Sequence, residues 1–257
     1  MVSFLSYFFL SAICLLFIPA VEWSVLPAAF WWYAAAAGVI GALGNGFLVK
    51  ALHGGDLSVL GPVNAYKSVV GLVVAIFLLK ELPSFWGILG VVLIVYGSYF
   101  VLDTLEEKFT WAILKRNDIR FRIIAMVLTA IEAVLIKKII QYSSPNIAFL
   151  MWCWFGAFFS FALLLVYRVQ INKELRQVNS SHFLKYLYLI ICIGIMQLTT
   201  NYVFDNMPVG YALSLFQLST IVSILLGHTL FQEKNIGRKL IGAVVMIAGS
   251  VIIILMN

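Results

Sequence analysis

Residues 84–103 (SFWGILGVVLIVYGSYFVLD) and residues 236–255 (IGRKLIGAVVMIAGSVIIIL) align without a gap at a constant offset of 152 positions. Both stretches are apolar and carry two glycines seven residues apart, matched as Gly90 with Gly242 and Gly97 with Gly249. Small residues at a fixed spacing let two membrane helices approach closely. These stretches therefore predict two related helices, each with a narrow face for packing.

The repeat extends upstream of the paired glycines. At the same offset, residues 57–103 match residues 209–255, and Glu81 meets Glu233 in a short turn between two apolar runs. Each copy thus resembles one pair of helices joined by a turn that contains a glutamate. Internal repetition in a hydrophobic chain is typical of transporter folds, in which two halves enclose a central site.

The composition indicates that most of this protein is solvated by lipid. Of its 257 residues, 63% are hydrophobic and only 11% are charged, whereas soluble domains are about half apolar and about a quarter charged. The net charge of +6 comes from residues in short loops, where membrane orientation explains it better than nucleic-acid binding. We therefore expect an integral, multi-pass membrane protein, in the inner membrane of a bacterial cell, with the lipid bilayer as partner and no nucleic acid.

Apolar runs between polar breaks predict nine membrane-spanning helices, so the fold class is all-α and polytopic. The runs are about 18–23 residues long, which suits a hydrocarbon core about 30 Å thick. Their approximate bounds are 2–20, 29–50, 57–79, 84–103, 120–141, 146–168, 184–204, 209–231 and 236–256.

The repeat offset divides these spans unequally. The span 120–141 has no counterpart, since its match would lie before residue 1. We predict a first repeat of four helices over 1–103, a loop over 104–119 and a second repeat of five helices over 120–257. Either the native first half is short, or the chain starts at an internal Met. An odd number of helices per repeat would place the two copies in opposite orientations.

Several short motifs resemble the EamA domain of the drug/metabolite transporter superfamily. They are Lys50-Ala51-Leu52, Leu57-Ser58-Val59, Pro62, Lys67, Leu78-Leu79-Lys80-Glu81 and the Gly90–Gly97 helix, followed by Ala212-Leu213-Ser214, Phe231-Gln232-Glu233 and Gly249. The resemblance implies ten helices in two inverted repeats of five, and transport of metabolites, amino acids, sugars, nucleotide sugars or drugs. This chain departs from that pattern by one helix.

Two arguments about orientation disagree. Thirteen Lys and Arg residues fall in loops on one side of the predicted membrane, including 103–122 and 168–185, and three fall on the other, namely Lys80, Lys137 and Lys138. The positive-inside rule then places the amino end in the cytoplasm. The family pattern, with its first helix removed, places the amino end outside.

Two charged residues are predicted at membrane depth, where a charge costs on the order of 2.5–3.5 kcal/mol. Lys67 could bind an anionic group of the substrate, and Glu132 could carry a coupling proton or cation. Alternatively the two pair with each other, or Lys67 bonds to carbonyl groups at a kink near Pro62.

Further polar and aromatic residues within the spans could line a substrate cavity formed by the third, fifth, seventh and eighth spans. These candidates are Asn45, Asn64, Tyr66, Gln197, Asn201, Gln217 and Trp152. Asn45 and Gln197 match in the repeat register. For most of them the better explanation is hydrogen bonds that hold helices together, worth about 0.6–2 kcal/mol each.

The sequence contains no Walker loop, G-x-S-x-G or HExxH motif, and its three histidines are scattered. We therefore predict no enzyme activity, no cofactor and no metal site. The leading hypothesis is a secondary transporter for a small-molecule substrate, driven by an ion gradient or by exchange. An intramembrane lipid enzyme would need a nucleophile and base that are not visible. A helper subunit, or one partner of a homo- or heterodimer, is the other alternative.

Overall fold

The structure is a computed structural model that describes residues 2–15, 23–54, 66–102, 117–168, 183–219, 222 and 236–256. Within these ranges the chain is helical, without strands, and forms nine α-helices and two short 3-10 turns. The helices are α1 (Val2–Cys14), α2 (Ala28–Gly54), α3 (Lys67–Leu79), α4 (Phe85–Leu102), α5 (Asn117–Tyr142), α6 (Pro145–Val166), α7 (Phe183–Asn206), α8 (Val209–Leu215) and α9 (Ile236–Leu255).

The predicted all-α class is confirmed for the described residues, and eight helix starts lie within three residues of the predicted ones. The exception is α3, which begins at Lys67 where the sequence predicts a span from 57, so Lys67 lies at the start of its helix and not in the middle. The signal at the start of α6 is the clearest case. Ser144 caps this helix by accepting a hydrogen bond from the Ile147 amide at 3.3 Å, and Pro145 occupies the first helical position. Proline suits that position because its missing N–H would have had no partner there.

Three described helices are long and apolar enough to cross a membrane, over Ala28–Ala51, Pro145–Val166 and Leu184–Asn206. The helix α5 is not among them, although the sequence predicts a span at 120–141. It carries both Glu132 and the dipeptide Lys137-Lys138, which lower its hydropathy.

Large apolar side chains cover the outer surfaces of the helices. Phe77 is 81% exposed, Trp32 78% and Leu184 74%. Soluble proteins rarely expose apolar patches of this kind, because contact with water would be unfavourable. The apolar helices thus indicate an integral membrane protein, with these side chains against lipid.

The described chain divides into two compact units. The first comprises 1–45 and 135–206, and contains α1, the beginning of α2, the end of α5, α6 and α7. Here α1 packs on α6 and α7, with the Tyr7 ring over the bare backbone of Gly156. Phe30, Cys153 and Phe204 are fully buried in this unit.

The second unit comprises 46–134 and 207–257, and its main packing contact joins α4 to α9. A Cβ added to Gly97 would lie 2.6 Å from the Gly242 carbonyl oxygen, and one added to Gly249 would lie 2.7 Å from that of Gly90. We call these four residues the glycine contact. Gly90 faces Gly249 while Gly97 faces Gly242, so the two helices run antiparallel.

The predicted close approach at the paired glycines is therefore confirmed. The first glycine of each copy faces the second glycine of the other copy, so no glycine faces its own match. Gly90, which matches Gly242 in sequence, contacts Gly249. Gly97, which matches Gly249, contacts Gly242. Such an exchange is the pattern of a two-fold, self-complementary contact.

We expect Gly97→Ala to destabilise the protein, because the new methyl group would meet the Gly242 carbonyl and the Met246 backbone nitrogen. Overpacking of this kind costs about 1–3 kcal/mol, measurable as a lower melting temperature in detergent. Gly237→Ala, on the same partner helix with no atom within 4 Å, is the control and should not lower it. Equal melting temperatures for the two variants would contradict the close contact.

Candidate functional site

The predicted pair of membrane charges comes together in the second unit. Lys67 is the first residue of α3 and is half-buried, and Glu132 lies in α5 with 9% of its surface exposed. The charge of Glu132 acts on Lys67, and the Arg122 guanidinium supplies a second positive charge nearby. The alternative in which the two residues interact with each other is therefore supported, and it does not exclude a role in binding.

The position of Lys67 is electrostatically unusual. A helix carries a partial positive charge at its amino end, where acidic side chains are favoured and cations are not. Lys67 stands at the first residue of α3, whereas Glu132 is buried and negative. The dipole of α3 therefore disfavours the positive charge of Lys67, and the negative charge of Glu132 offsets this unfavourable interaction.

A second group of predicted residues meets in the first unit. The Asn45 side-chain amide donates a hydrogen bond to the Tyr7 hydroxyl at 3.0 Å. The Tyr7 ring meets Trp152 edge-on, with ring centroids 4.6 Å apart, and Trp152 stacks on Phe149. The structure therefore joins Asn45 to Trp152 through Tyr7, a residue that the sequence analysis missed. A tyrosine in an apolar run needs a polar partner for its hydroxyl, and that was the available signal.

Gln197 and Asn201 form a separate pair on α7. The Gln197 amide donates to the Asn201 side-chain oxygen at 3.0 Å, and the Asn201 amide donates to the Pro145 carbonyl at 3.1 Å. Asn201 is fully buried. The bond to Pro145 ties α7 to the start of α6, so Asn201 joins two helices.

The remaining predicted site residues are less informative. Tyr66 precedes α3 and is 49% exposed, and Gln217 is buried in the 3-10 turn Phe216–Leu218. Asn64 lies outside the described residues. The structure thus brings together Lys67 with Glu132, Asn45 with Trp152, and Gln197 with Asn201.

Lys137 corrects the sequence analysis, which counted it among loop lysines. It lies inside α5, is 8% exposed, and its ammonium donates a hydrogen bond to the Phe204 carbonyl. Phe204 belongs to the last turn of α7, whose carbonyl groups lack partners within the helix. A cation there also complements the helix dipole. Lys137 therefore caps the end of α7.

Glu81 caps a helix that is distant from it in sequence. Its carboxylate accepts a hydrogen bond from the Val209 amide at 3.1 Å, at the start of α8. In return the Tyr211 hydroxyl accepts one from the Ser84 amide at 2.9 Å, just before α4. The turn after α3 and the start of α8 thus cap each other. The matched Glu233 lies outside the described residues.

A small pocket beside this junction is lined by Leu72, Ala75, Glu81, Pro83, Pro208, Gly210 and Tyr211. Its accessible volume is about 10 Å³, which is roughly the space that one water molecule needs. It is too small to hold a metabolite.

Comparison with known proteins gives the family and the fold. The model of the EamA-like transporter family matches residues 1–103 and 119–255. No curated protein matches the chain. Among solved structures 21 chains match, and one crystal structure of a protein has a TM-score of 0.77 and 16% identity, covering 99% of this chain and 86% of its own. At this identity the likeness shows the fold alone.

Lys137→Met should destabilise the protein by about 1–3 kcal/mol, because the buried Phe204 carbonyl would lose its donor. Lys138→Met is a matched control, because Lys138 bonds to Gln141 at 3.2 Å and lies over the Tyr142 ring, and both residues belong to its own helix. This change should alter stability by less than about 0.5 kcal/mol. Melting temperatures in detergent provide the comparison. Equal losses in both variants would show that the capping bond contributes nothing specific.

Proposed function

Because the chain belongs to the EamA-like transporter family, we propose that it is a secondary transporter for a small polar or amphipathic metabolite. It would work by alternating access, coupled to an ion gradient or to exchange, as a multi-pass protein of the bacterial inner membrane. Family members are transporters rather than enzymes, which agrees with the absence of a catalytic motif in the sequence.

The proposal includes two inverted repeats, over 1–103 and 120–257. The glycine contact supports this arrangement, because two helices matched in sequence run antiparallel and exchange equivalent contacts. Two copies of a motif related by an axis in the membrane plane would produce the same exchange. Movement of one repeat against the other would then open the site to each side of the membrane in turn.

The observation that carries the transport mechanism is the Lys67–Glu132 pair. A half-buried lysine with a carboxylate as its counter-ion can exchange that partner for an anionic group of a substrate. When Glu132 is ionised, it competes with the substrate for Lys67. When Glu132 takes up a proton, Lys67 needs another anion, and substrate binding becomes more favourable. Proton and substrate would therefore move together.

Neutral polar groups would complete the recognition of the substrate. Asn45 and Trp152, joined by Tyr7, offer an amide and an aromatic surface. Asn64, Tyr66, Gln197, Asn201 and Gln217 remain candidates for further hydrogen bonds. Since Asn201 already bonds to Gln197 and Pro145, we expect it to position the others rather than to contact the substrate.

Glu132→Gln tests the coupling. The protein would be reconstituted in liposomes containing a pH-sensitive dye, and a panel of carboxylates, amino acids and sugar phosphates would be added outside. For any compound that moves protons with the native protein, Glu132→Gln should abolish accumulation driven by a pH gradient while counterflow exchange persists. Unchanged pH-driven uptake would remove Glu132 from the coupling step.

Lys67→Met tests substrate binding in the same liposomes. Loss of a charged hydrogen bond, about 1.5–3 kcal/mol, should weaken apparent affinity for an anionic substrate about 10- to 150-fold. Lys80→Met, which removes an exposed lysine at the end of α3, is the control for net charge and should leave affinity unchanged. Equal effects of the two variants would contradict a specific role for Lys67.

A further inference from the structure

A lysine and two tyrosines form a cluster in the first compact unit. The Tyr33 ring, in the second turn of α2, stacks on the ring of Tyr142, the last residue of α5, with centroids 5.9 Å apart and planes 20° apart. The Lys138 ammonium lies 5.5 Å from the centroid of the Tyr142 ring, close enough for a cation–π interaction. We call Tyr33, Lys138 and Tyr142 the tyrosine–lysine cluster.

The cluster lies where helices begin and end. Helix α2 begins at Ala28, α5 ends at Tyr142 and α6 begins at Pro145, so the chain reverses direction beside the cluster. Tyrosine is enriched at the membrane–water interface, where its ring can contact acyl chains while its hydroxyl reaches polar groups. A lysine near a helix end extends its ammonium to the same depth. We therefore expect the cluster at the level of the lipid headgroups.

The contacts of Lys138 stay within its own helix. Its ammonium donates a hydrogen bond to the Gln141 side-chain oxygen at 3.2 Å, and it pairs with no carboxylate among the residues that the structure describes. Lys138 is not needed to cap α5, because the Ser143 hydroxyl donates to the Ile139 carbonyl at 2.8 Å and the Ser143 amide donates to the Ile140 carbonyl at 3.0 Å. The charge of Lys138 is therefore available to an anion outside the protein.

The two tyrosine hydroxyls add hydrogen-bond donors to the cluster. Tyr142 is 37% exposed and Tyr33 is half-buried. Within the described ranges neither hydroxyl bonds to another protein group, whereas the hydroxyls of Tyr7 and Tyr211 do. Hydrogen bonds to an ionised oxygen are about twice as strong as those between neutral groups. A cation beside two hydroxyl groups thus suits an oxyanion.

We propose that the tyrosine–lysine cluster binds the phosphate of an anionic glycerophospholipid such as phosphatidylglycerol. The Lys138 ammonium pairs with a phosphate oxygen, and the tyrosine hydroxyls donate to phosphate or ester oxygens. A lipid fits better than a soluble anion, because Trp32, next to Tyr33 on α2, is 78% exposed and offers the acyl chains an apolar surface. Charge selects the lipid class, since phosphatidylglycerol is anionic whereas the choline of phosphatidylcholine neutralises its phosphate.

Lipid binding here is separate from the transport proposal. The cluster contains none of the residues proposed to bind substrate or to couple transport, and its occupancy can be measured without a substrate. A lipid held by side chains of both α2 and α5 stabilises the packing of these two helices, because it binds only while they are together.

The test measures lipid binding by native mass spectrometry, with the purified protein stripped of lipid in a neutral detergent. Palmitoyl-oleoyl phosphatidylglycerol is titrated in parallel with phosphatidylcholine that has the same chains. We expect the native protein to bind phosphatidylglycerol about fivefold more tightly, the preference that one lysine confers for an anionic lipid. Soluble glycerol 3-phosphate should bind at least about tenfold more weakly than phosphatidylglycerol, because it buries no acyl chain.

Four variants separate the contributions of the cluster. Lys138→Met should lose the preference for phosphatidylglycerol, and Lys138→Arg should keep it. Tyr142→Phe retains the ring but removes a donor, so it should weaken binding of both lipids about 2- to 10-fold. Lys80→Met removes an exposed lysine outside the cluster; it controls for net charge and should leave the preference unchanged.

Equal affinity of the native protein for the two lipids would overturn the proposal. So would a Lys138→Met variant that keeps the preference, or equal losses in Lys138→Met and Lys80→Met. Glycerol 3-phosphate that binds as tightly as the lipid would assign the cluster to a soluble anion instead. If Lys138→Met fails to fold, Tyr142→Phe still decides the question, since unchanged lipid affinity in that variant contradicts the site.

Discussion

The hydrocarbon core of a membrane offers no water to backbone groups, and this constraint governs the helix ends of the protein. The unbonded amide and carbonyl groups there must find partners within the chain. Several of those partners come from helices far away in sequence. The Glu81 carboxylate receives the Val209 amide, the Tyr211 hydroxyl receives the Ser84 amide, and the Lys137 ammonium donates to the Phe204 carbonyl. Each capping bond therefore also fixes the position of one helix relative to another.

This role separates the charged residues that lie near helix ends into two groups. The charges of Glu81 and Lys137 suit the helix ends that they contact. The Glu81 carboxylate lies at the amino end of α8, where the helix dipole is positive, and the Lys137 ammonium lies at the carboxyl end of α7, where it is negative. Lys67 has the unfavourable sign for its position, at the amino end of α3. A charged residue whose own helix dipole disfavours its charge is a better candidate for binding than one whose charge stabilises the fold.

The sequence predicted the fold largely from local signals. The Ser144-Pro145 start of α6 and the glycine spacing in α4 and α9 depend on short stretches, and both agree with the structure. Lys137 was counted with the loop lysines because it lies near the end of the predicted span 120–141, but the structure places it inside a helix that continues to Tyr142. Only the tertiary contact with Phe204 reveals why a charge is tolerated there.

The candidate site was harder to predict, because its members meet only through folding. Glu132 and Lys67 could be singled out by their charge, but their proximity depends on how α3 and α5 pack. Tyr7 was overlooked because nothing near it in sequence indicates a bond to Asn45.

The antiparallel glycine contact has a consequence for biosynthesis. About 150 residues separate equivalent positions of the two helices that form it, so the ribosome needs roughly 8–30 s at ~5–20 residues per second to supply the second after the first. During that interval the face of α4 that carries Gly90 and Gly97 lacks the helix against which it packs in the structure. A chain that ended before residue 236 would lack α9, and with it the surface that packs against α4 at the glycine contact.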